Sequence, residues 1–159
     1  MRKILLFGNS GSGKSTLASR LSAAENLPHL DLDTLAWLPS TPPQRAPLET
    51  SEQMIQDFMG QNDGWVIEGC YGDLLALAAP QAAEIIFMNL PVALCIENAR
   101  KRPWEPHKYA SKQAQDENLQ LLIAWIGQYE ERDDVFSYRA HAAFYDQFSG
   151  QKMMFTTNQ

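Results

Sequence analysis

The sequence predicts an α/β fold, a parallel sheet of five short strands with helices on both faces, from three observations. Short apolar runs alternate with segments of helical periodicity along the whole chain. The run Ile85-Ile86-Phe87-Met88 has no polar alternation, so that strand must be covered on both faces. A glycine-rich stretch, Gly8 to Gly13, lies between the first apolar run and the first helix, at the sheet edge where open α/β folds bind their ligands.

Taken in order, Lys3–Phe7 reads as the first strand and Lys14–Ala24 as a helix, with Leu17, Ala18 and Leu21 at helical spacing. His29–Leu32, after Pro28, reads as the second strand. Pro39, Pro42, Pro43 and Pro47 then deny the chain regular structure, which predicts a surface loop. The pairs Met54/Phe58 and Ile55/Met59 predict a helix over Leu48–Met59, and Trp65–Glu68 reads as a buried strand closed by Gly69. Asp73–Ala79 reads as a short helix with Asp73 at its cap, followed by the strand Glu84–Asn89. A helix runs from Pro91 to about Lys101. Beyond Pro103 and Pro106 a longer one carries Leu119, Leu122, Ile123 and Ile126 on one stripe. Tyr138–Phe148 reads as the last helix and Lys152–Thr156 as the last strand.

The chain has 159 residues, 45% of them hydrophobic, enough for one core and one domain spanning the chain. Its net charge of −6 offers no broad basic surface, which argues against nucleic acid or anionic lipid as a partner. Cys70 and Cys95 have neither a C-x-x-C spacing nor a disulfide framework, and both read as buried thiols in a reducing compartment. The apolar run after Met1-Arg2-Lys3 is too short for a signal peptide or a membrane span. A cytoplasmic protein that contacts no membrane is expected.

Gly8-Asn9-Ser10-Gly11-Ser12-Gly13-Lys14-Ser15 matches G-x-x-x-x-G-K-S/T in full, between a predicted strand and a predicted helix. The glycines let backbone N–H groups turn in around phosphate oxygens. The helix that follows presents its positive end, and Lys14 reaches the β- and γ-phosphates. Ser15 ligates Mg²⁺ and Thr16 continues the binding segment. ATP and Mg²⁺ are therefore the expected cofactors.

Phosphoryl transfer asks for carboxylates near the metal and arginines near the phosphates. Asp33 follows the second strand at the carboxyl edge, with Asp31 two residues earlier on the same face. The alternative for Asp33 is the cap of a short helix. Glu68 ends a buried strand, where an unpaired carboxylate is costly unless a metal, a metal-bound water or a salt bridge compensates it. Arg45, in the proline-rich loop, is a candidate for acceptor recognition. Trp37, Trp65, Trp104 and Trp125 read as packing residues rather than stacking platforms, with a place facing the acceptor as the alternative for Trp37. His29, His107 and His141 show no metal-ligand spacing.

The loop, then Leu32-Asp33-Thr34-Leu35-Ala36-Trp37-Leu38-Pro39, then Trp65-Val66-Ile67-Glu68-Gly69-Cys70-Tyr71, resemble the adenylate-kinase-like proteins known as topology-modulation (FlaR-type) proteins. The resemblance covers most of residues 1–105 and extends more distantly to adenylate and shikimate kinases. It implies a P-loop NTPase three-layer sandwich with strand order 2-3-1-4-5 and ATP as donor. It also implies a short lid around residues 100–110 and an acceptor-side loop around residues 37–50. By the same resemblance Asp33 and Glu68 join Ser15 at the metal. Arg100 and Arg102 fall where lid arginines cover the phosphates, and Arg139 falls where a further phosphate-contacting arginine occurs. Thr156-Thr157-Asn158 falls where such kinases contact adenine, with a frayed terminus as the alternative. A solvated helix end is the alternative for Arg100-Lys101-Arg102, and a surface ion pair for Arg139. No arginine follows Glu68-Gly69-Cys70-Tyr71-Gly72, where adenylate kinases hold AMP, which weakens AMP as acceptor.

The activity implied is an ATP-dependent kinase of the nucleoside-monophosphate-kinase type, with Lys14, Asp33, Glu68, Arg100, Arg102 and Arg139 as catalytic residues. Its acceptor is a small molecule, with a nucleotide among the candidates. The competing readings are a nucleotide-dependent regulatory ATPase or switch and, with least support, a nucleic-acid-linked role.

Overall fold

A computed structural model describes residues 1–159. In chain order the elements are β1 (Lys3–Gly8), α1 (Lys14–Glu25), β2 (His29–Asp31), α2 (Asp33–Ala36), β3 (Trp37–Leu38), β4 (Gln44–Arg45), α3 (Leu48–Gly60), β5 (Trp65–Gly69), α4 (Gly72–Ala78), β6 (Glu84–Met88), α5 (Val92–Arg100), α6 (Lys112–Gly127), α7 (Tyr138–Gln147) and β7 (Gln151–Phe155). Five strands form one parallel sheet in the order β2-β5-β1-β6-β7, while β3 and β4 pair antiparallel as a separate ribbon. Counted without the ribbon, the sheet reads 2-3-1-4-5.

Two-sided burial explains the unalternated strands. Leu5 and Phe7 of β1, Trp65 and Ile67 of β5, and Ile85 and Phe87 of β6 enter one core with residues of α3, α4 and α7. Their strand neighbours Ile4, Leu6, Val66, Ile86 and Met88 point the other way, into a second core with α1, α5 and α6. The first core is strongly aromatic. Phe7 and Phe87 stack with ring centroids 4.9 Å apart, and Phe144 meets Phe7 edge-on at 5.1 Å. Fully burying one such ring contributes roughly 1.5–3 kcal/mol.

The ribbon corrects one expectation, since the proline-rich segment is not wholly irregular. Trp37 and Leu38 pair with Arg45 and Gln44 on either side of Pro39, Pro42 and Pro43. The prolines fall between strands of two residues, where no ladder hydrogen bond is lost. Asp73 is a second correction. Tyr71 occupies the cap position of α4, and Asp73 lies in its first turn, 3.1 Å from Arg45. Of the cysteines, Cys95 is buried but Cys70 only half-buried. No helix is long and apolar enough to cross a membrane.

Candidate functional site

The carboxyl ends of β1, β2 and β5 converge on a cleft of about 860 Å³. Its floor is the loop between β1 and α1. Gly11 has φ +79°, and a Cβ there would stand 2.3 Å from the carbonyl oxygen of Cys95 in α5. Only glycine lets the loop lie this close to that helix. Gly13, at φ +87°, occupies the cap position of α1 with no side chain closing the helix end. The first N–H groups of a helix have no intrahelical partner, so this end is open to an anion. Lys14 Nζ donates to the Asn9 carbonyl at 2.7 Å, which holds its charge across the loop.

Of the predicted binding segment, Ser10, Gly11, Gly13, Lys14, Ser15 and Thr16 line the cleft, whereas Gly8, Asn9 and Ser12 lie behind it. Asn9 and Ser12 are fully buried, and Asn9 Nδ2 donates to the Ile126 carbonyl of α6 at 3.3 Å. The loop is also clamped from its far side. Asn98 Nδ2 donates to the Gly11 carbonyl and to Asn158 Oδ1, both at 2.9 Å, and Asn158 Nδ2 donates to the Ser12 carbonyl at 3.1 Å. Asn158 therefore reaches the phosphate loop through a hydrogen-bonded asparagine pair, and it lines the cleft.

The carboxylates lie at the carboxyl ends of β2 and β5. The β2–β5 register sets Asp31 beside Glu68. Glu68 is buried, and its Oε2 has no hydrogen-bond partner; His29 Nε2 lies 3.6 Å away, an ion-pair distance rather than a hydrogen bond. The Glu68 carboxylate raises the pKa of His29, outweighing burial. Burial, followed by the charges of Glu68 and Asp33, pushes that of Asp31 up. Leu32 occupies the cap position of α2, Asp33 is its first residue, and Asp31 Oδ1 accepts from the Asp33 backbone N–H at 2.9 Å, so Asp33 is not the cap.

Asp33 is engaged at both oxygens. Tyr71 Oη donates to Oδ1, and Lys108 Nζ lies 3.1 Å from Oδ2. Burial works to raise the Asp33 pKa, but the Lys108 charge and the Tyr71 hydroxyl outweigh it and hold the group below the ordinary carboxylate value. Trp37 Nε1 donates in turn to Tyr71 Oη at 2.8 Å. The result is a donor chain from indole to phenol to carboxylate.

Asp33, Glu68 and Arg102 line the cleft with Lys14, but Arg100 and Arg139 do not. Arg100 is the last residue of α5 and is exposed, while Arg139, in the first turn of α7, is exposed beyond the cleft wall. Arg102 sits past the helix end, where the chain turns back and ties it to Glu105 at 3.4 Å. Arg45 is withdrawn as well. It pairs with Asp73 and packs against the rings of Tyr71, Phe136 and Trp37 at 5.0, 5.6 and 5.9 Å, outside the cleft lining. Trp37 does face the cleft, joined by Trp125 and Phe136, whereas Trp65 is core and Trp104 is exposed on the segment after α5. Burial pushes the Cys70 thiol up to about 12 and the Cys95 thiol up to about 11, so neither is a ready nucleophile.

Sequence reasoning missed Lys108, Asn98 and His141. Lys108 and Asn98 have no local signature, because each acts on a loop far away in the chain. His141 is buried. Its Nε2 lies 2.8 Å from the Cys70 carbonyl, which can only accept, so Nε2 carries the proton and Nδ1 accepts from the Tyr129 hydroxyl at 2.6 Å. Burial pushes its pKa down to about 4.

A phosphate loop between β1 and α1, at the carboxyl edge of a parallel sheet in this order, defines a P-loop kinase-like fold. The chain belongs to the AAA domain family (AAA_18), whose model matches residues 4–121. Among solved structures it is similar to a gluconokinase from Sinorhizobium meliloti 1021, at 16% identity and a TM-score of 0.59 over 99% of this chain and 83% of that one. It is also similar to shikimate kinase from Bacteroides thetaiotaomicron, at 18% identity and a TM-score of 0.55 over 98% of this chain and 86% of that one. At these identities the likeness establishes the fold alone. No curated protein matches the chain.

Proposed function

We propose that this protein is an ATP-dependent phosphotransferase that moves the γ-phosphoryl group of ATP to a small-molecule acceptor. The observation that carries the reading is the cleft itself, lined together by Lys14, the open end of α1, Asp33 and Glu68. The names of the solved neighbours, a gluconokinase and a shikimate kinase, point to the same reaction class. The resemblance to topology-modulation proteins is compatible with it and names no acceptor.

The residues present fit a Mg²⁺ ion. This cation keeps several waters and takes few protein ligands. Exposed Ser15 at the helix start and the buried, unbonded Oε2 of Glu68 are a suitable pair, one direct and one through water. When bound, Mg²⁺ would neutralise charge on the phosphates. Each oxygen of Asp33 accepts from one protein donor and keeps a further lone pair, enough to accept a hydroxyl, and we assign it to the acceptor rather than to the metal. Its carboxylate orients the acceptor hydroxyl and takes the proton as the new P–O bond forms. Lys14 holds the transferring phosphoryl, and Arg102, on the lid that segment 101–111 would form, stabilises the charge that develops on it.

Titration calorimetry of MgATP into wild type and Lys14→Ala tests the reading together with an assay for ADP formation. The variant should bind ATP at least about tenfold more weakly, which is about 1.4 kcal/mol. Equal affinity in the two proteins would remove the loop from nucleotide binding and the proposal with it.

A further inference from the structure

The acceptor half of the cleft has an uncommon composition. Leu121 of α6 is 72% exposed and Trp37 is 41% exposed, and both border the same opening as the half-buried rings of Trp125 and Phe136. Large apolar groups presented together in a concavity mark a ligand wall rather than leftover surface. Leu121 and Trp125 lie four residues apart in α6, so they share one face of the helix.

The charges around that wall are already spent. Lys108 is shared between Asp33, at 3.1 Å, and Glu105, at 3.5 Å. Arg45 is paired with Asp73, and Arg132 stacks on Trp125 at 4.1 Å while paired with Asp134 at 3.3 Å; neither lines the cleft. The lining cations Arg20, Lys101 and Arg102 come from α1 and the segment that follows α5, while of the carboxylates that line the cleft Glu68 is buried with no hydrogen-bond partner at Oε2. A phosphate or carboxylate on the acceptor would be desolvated there beside negative charge. A flat ring with a hydroxyl group would instead find aromatic faces and a carboxylate to accept its O–H.

Resting on the phosphotransferase reading above, we infer that the acceptor is an uncharged, hydroxyl-bearing compound built on an aromatic or heteroaromatic ring, of the chemical class of a free nucleoside. The ring packs among Trp37, Phe136 and Trp125, with its hydroxyl toward Asp33. The hydroxyl oxygen forms a bond to the γ-phosphorus of ATP as the bond from that phosphorus to the β–γ bridging oxygen breaks. The electron pair leaves with ADP, and the hydroxyl proton passes to the Asp33 carboxylate.

The test is MgATP turnover by the full chain with the common ribonucleosides, their 5′-monophosphates and glycerate, with products identified by mass spectrometry. Transfer to ribonucleosides with kcat/KM at least about tenfold above the monophosphates and glycerate is expected. Phe136→Ala and Trp37→Ala should raise the nucleoside KM by about tenfold with little change in kcat, the scale of loss of one stacking partner. Leu121→Lys, at a position too exposed to threaten folding, should shift preference toward the monophosphates. Transfer chiefly to monophosphates or glycerate by the wild type would overturn the inference and leave the phosphotransferase reading standing. The inference also fails if Leu121→Lys and whichever ring variants fold all keep the wild-type nucleoside KM. ATP binding that depends on Lys14, with no transfer to ribonucleosides, would overturn the inference alone, because the phosphotransferase reading beneath it names no acceptor and is tested by Lys14→Ala.

Discussion

Lys108 Nζ lies 3.1 Å from Asp33 Oδ2, a contact between groups 75 residues apart in the chain. It fastens the segment after α5 onto the carboxyl edge of the sheet and occupies one oxygen of the carboxylate assigned to the acceptor. The pair is part-exposed, so its share of stability is small, within about 1 kcal/mol. Its effect on Asp33 is larger in consequence, because the lysine charge is what chiefly offsets burial and holds the carboxyl ionised.

Lys108→Met keeps the stem and removes that charge. The Asp33 pKa should rise, so the acid limb of the kcat/KM profile should move to higher pH, while the melting temperature changes little. The same substitution frees Asp33 Oδ2, so the acceptor KM should fall at neutral pH. A pH profile that overlays the wild type would show that Lys108 does not govern the ionisation of Asp33.

The second prediction concerns His141, which bridges the Tyr129 hydroxyl after α6 and the Cys70 carbonyl after β5. Its pKa is about 4 in the folded protein, against about 6.5 in the unfolded chain. Between those values the unfolded chain binds the extra proton. Its stabilising effect is therefore complete above about pH 6.5 and is lost as pH falls toward 4, by at most about 3 kcal/mol. Asp31 and His29, whose pKa values are raised, act in the opposite sense, since each gives the folded state the greater proton affinity. Comparison with His141→Gln isolates the effect. In urea titrations at pH 7 and pH 4.5, the wild type should lose more stability on acidification than the variant, and equal losses would contradict the assignment.

How much of this was legible in the sequence follows from the range of each interaction. The strands and the phosphate loop were readable because they depend on local periodicity and on glycine backbone geometry. Two-sided burial of Ile85–Met88 could be inferred from the absence of alternation. The pairing of Asp33 with Lys108 could not be, because it depends on how the chain folds back after Pro103 and Pro106. The same turn separates Arg100 from Arg102, which as a sequence cluster are indistinguishable: one ends α5 in solvent and the other enters the cleft. Arg45 stands out in the sequence for its charge, but of the rings that withdraw it from the cleft only Trp37, its ribbon partner, is near in the chain, and Tyr71 and Phe136 come from distant segments. His141 carried no signal, since its partners are a tyrosine and a backbone carbonyl.

Glycine substitutions should divide sharply by position. Gly11→Ala puts a Cβ 2.3 Å from the Cys95 carbonyl oxygen at a backbone φ of +79°, whereas a Cβ at Gly60 in α3 meets nothing within 4 Å. Gly11→Ala should cost about 1–3 kcal/mol and weaken ATP binding through displacement of the loop. Gly60→Ala should be neutral or stabilising by up to about 1 kcal/mol. Chemical denaturation of both variants checks this, and equal effects would mean that the loop is not packed on α5 as described.

The last prediction separates the two arginines. Arg102 lines the cleft proposed to hold the phosphates and is held there by Glu105 at 3.4 Å. Arg100 is exposed at the end of α5, where a cation is favourable for the helix dipole alone. Stabilising charge in the transition state raises the chemical step more than it raises ground-state affinity. Arg102→Ala should therefore slow single-turnover phosphoryl transfer by about tenfold or more, about 1.4 kcal/mol of barrier, with a smaller change in the ATP dissociation constant. Arg100→Ala should leave both within about twofold, because an exposed ion at a helix end contributes only about 0.3–1 kcal/mol, and to stability. Glu105→Gln adds a third arm. Loss of the carboxylate frees Arg102 but also releases Lys108, so it should alter turnover without abolishing ATP binding. If Arg100→Ala slowed the chemical step as much as Arg102→Ala, the end of α5 would have to reach the phosphates during turnover, and the assignment of Arg102 as the arginine that meets the transferring group would fall.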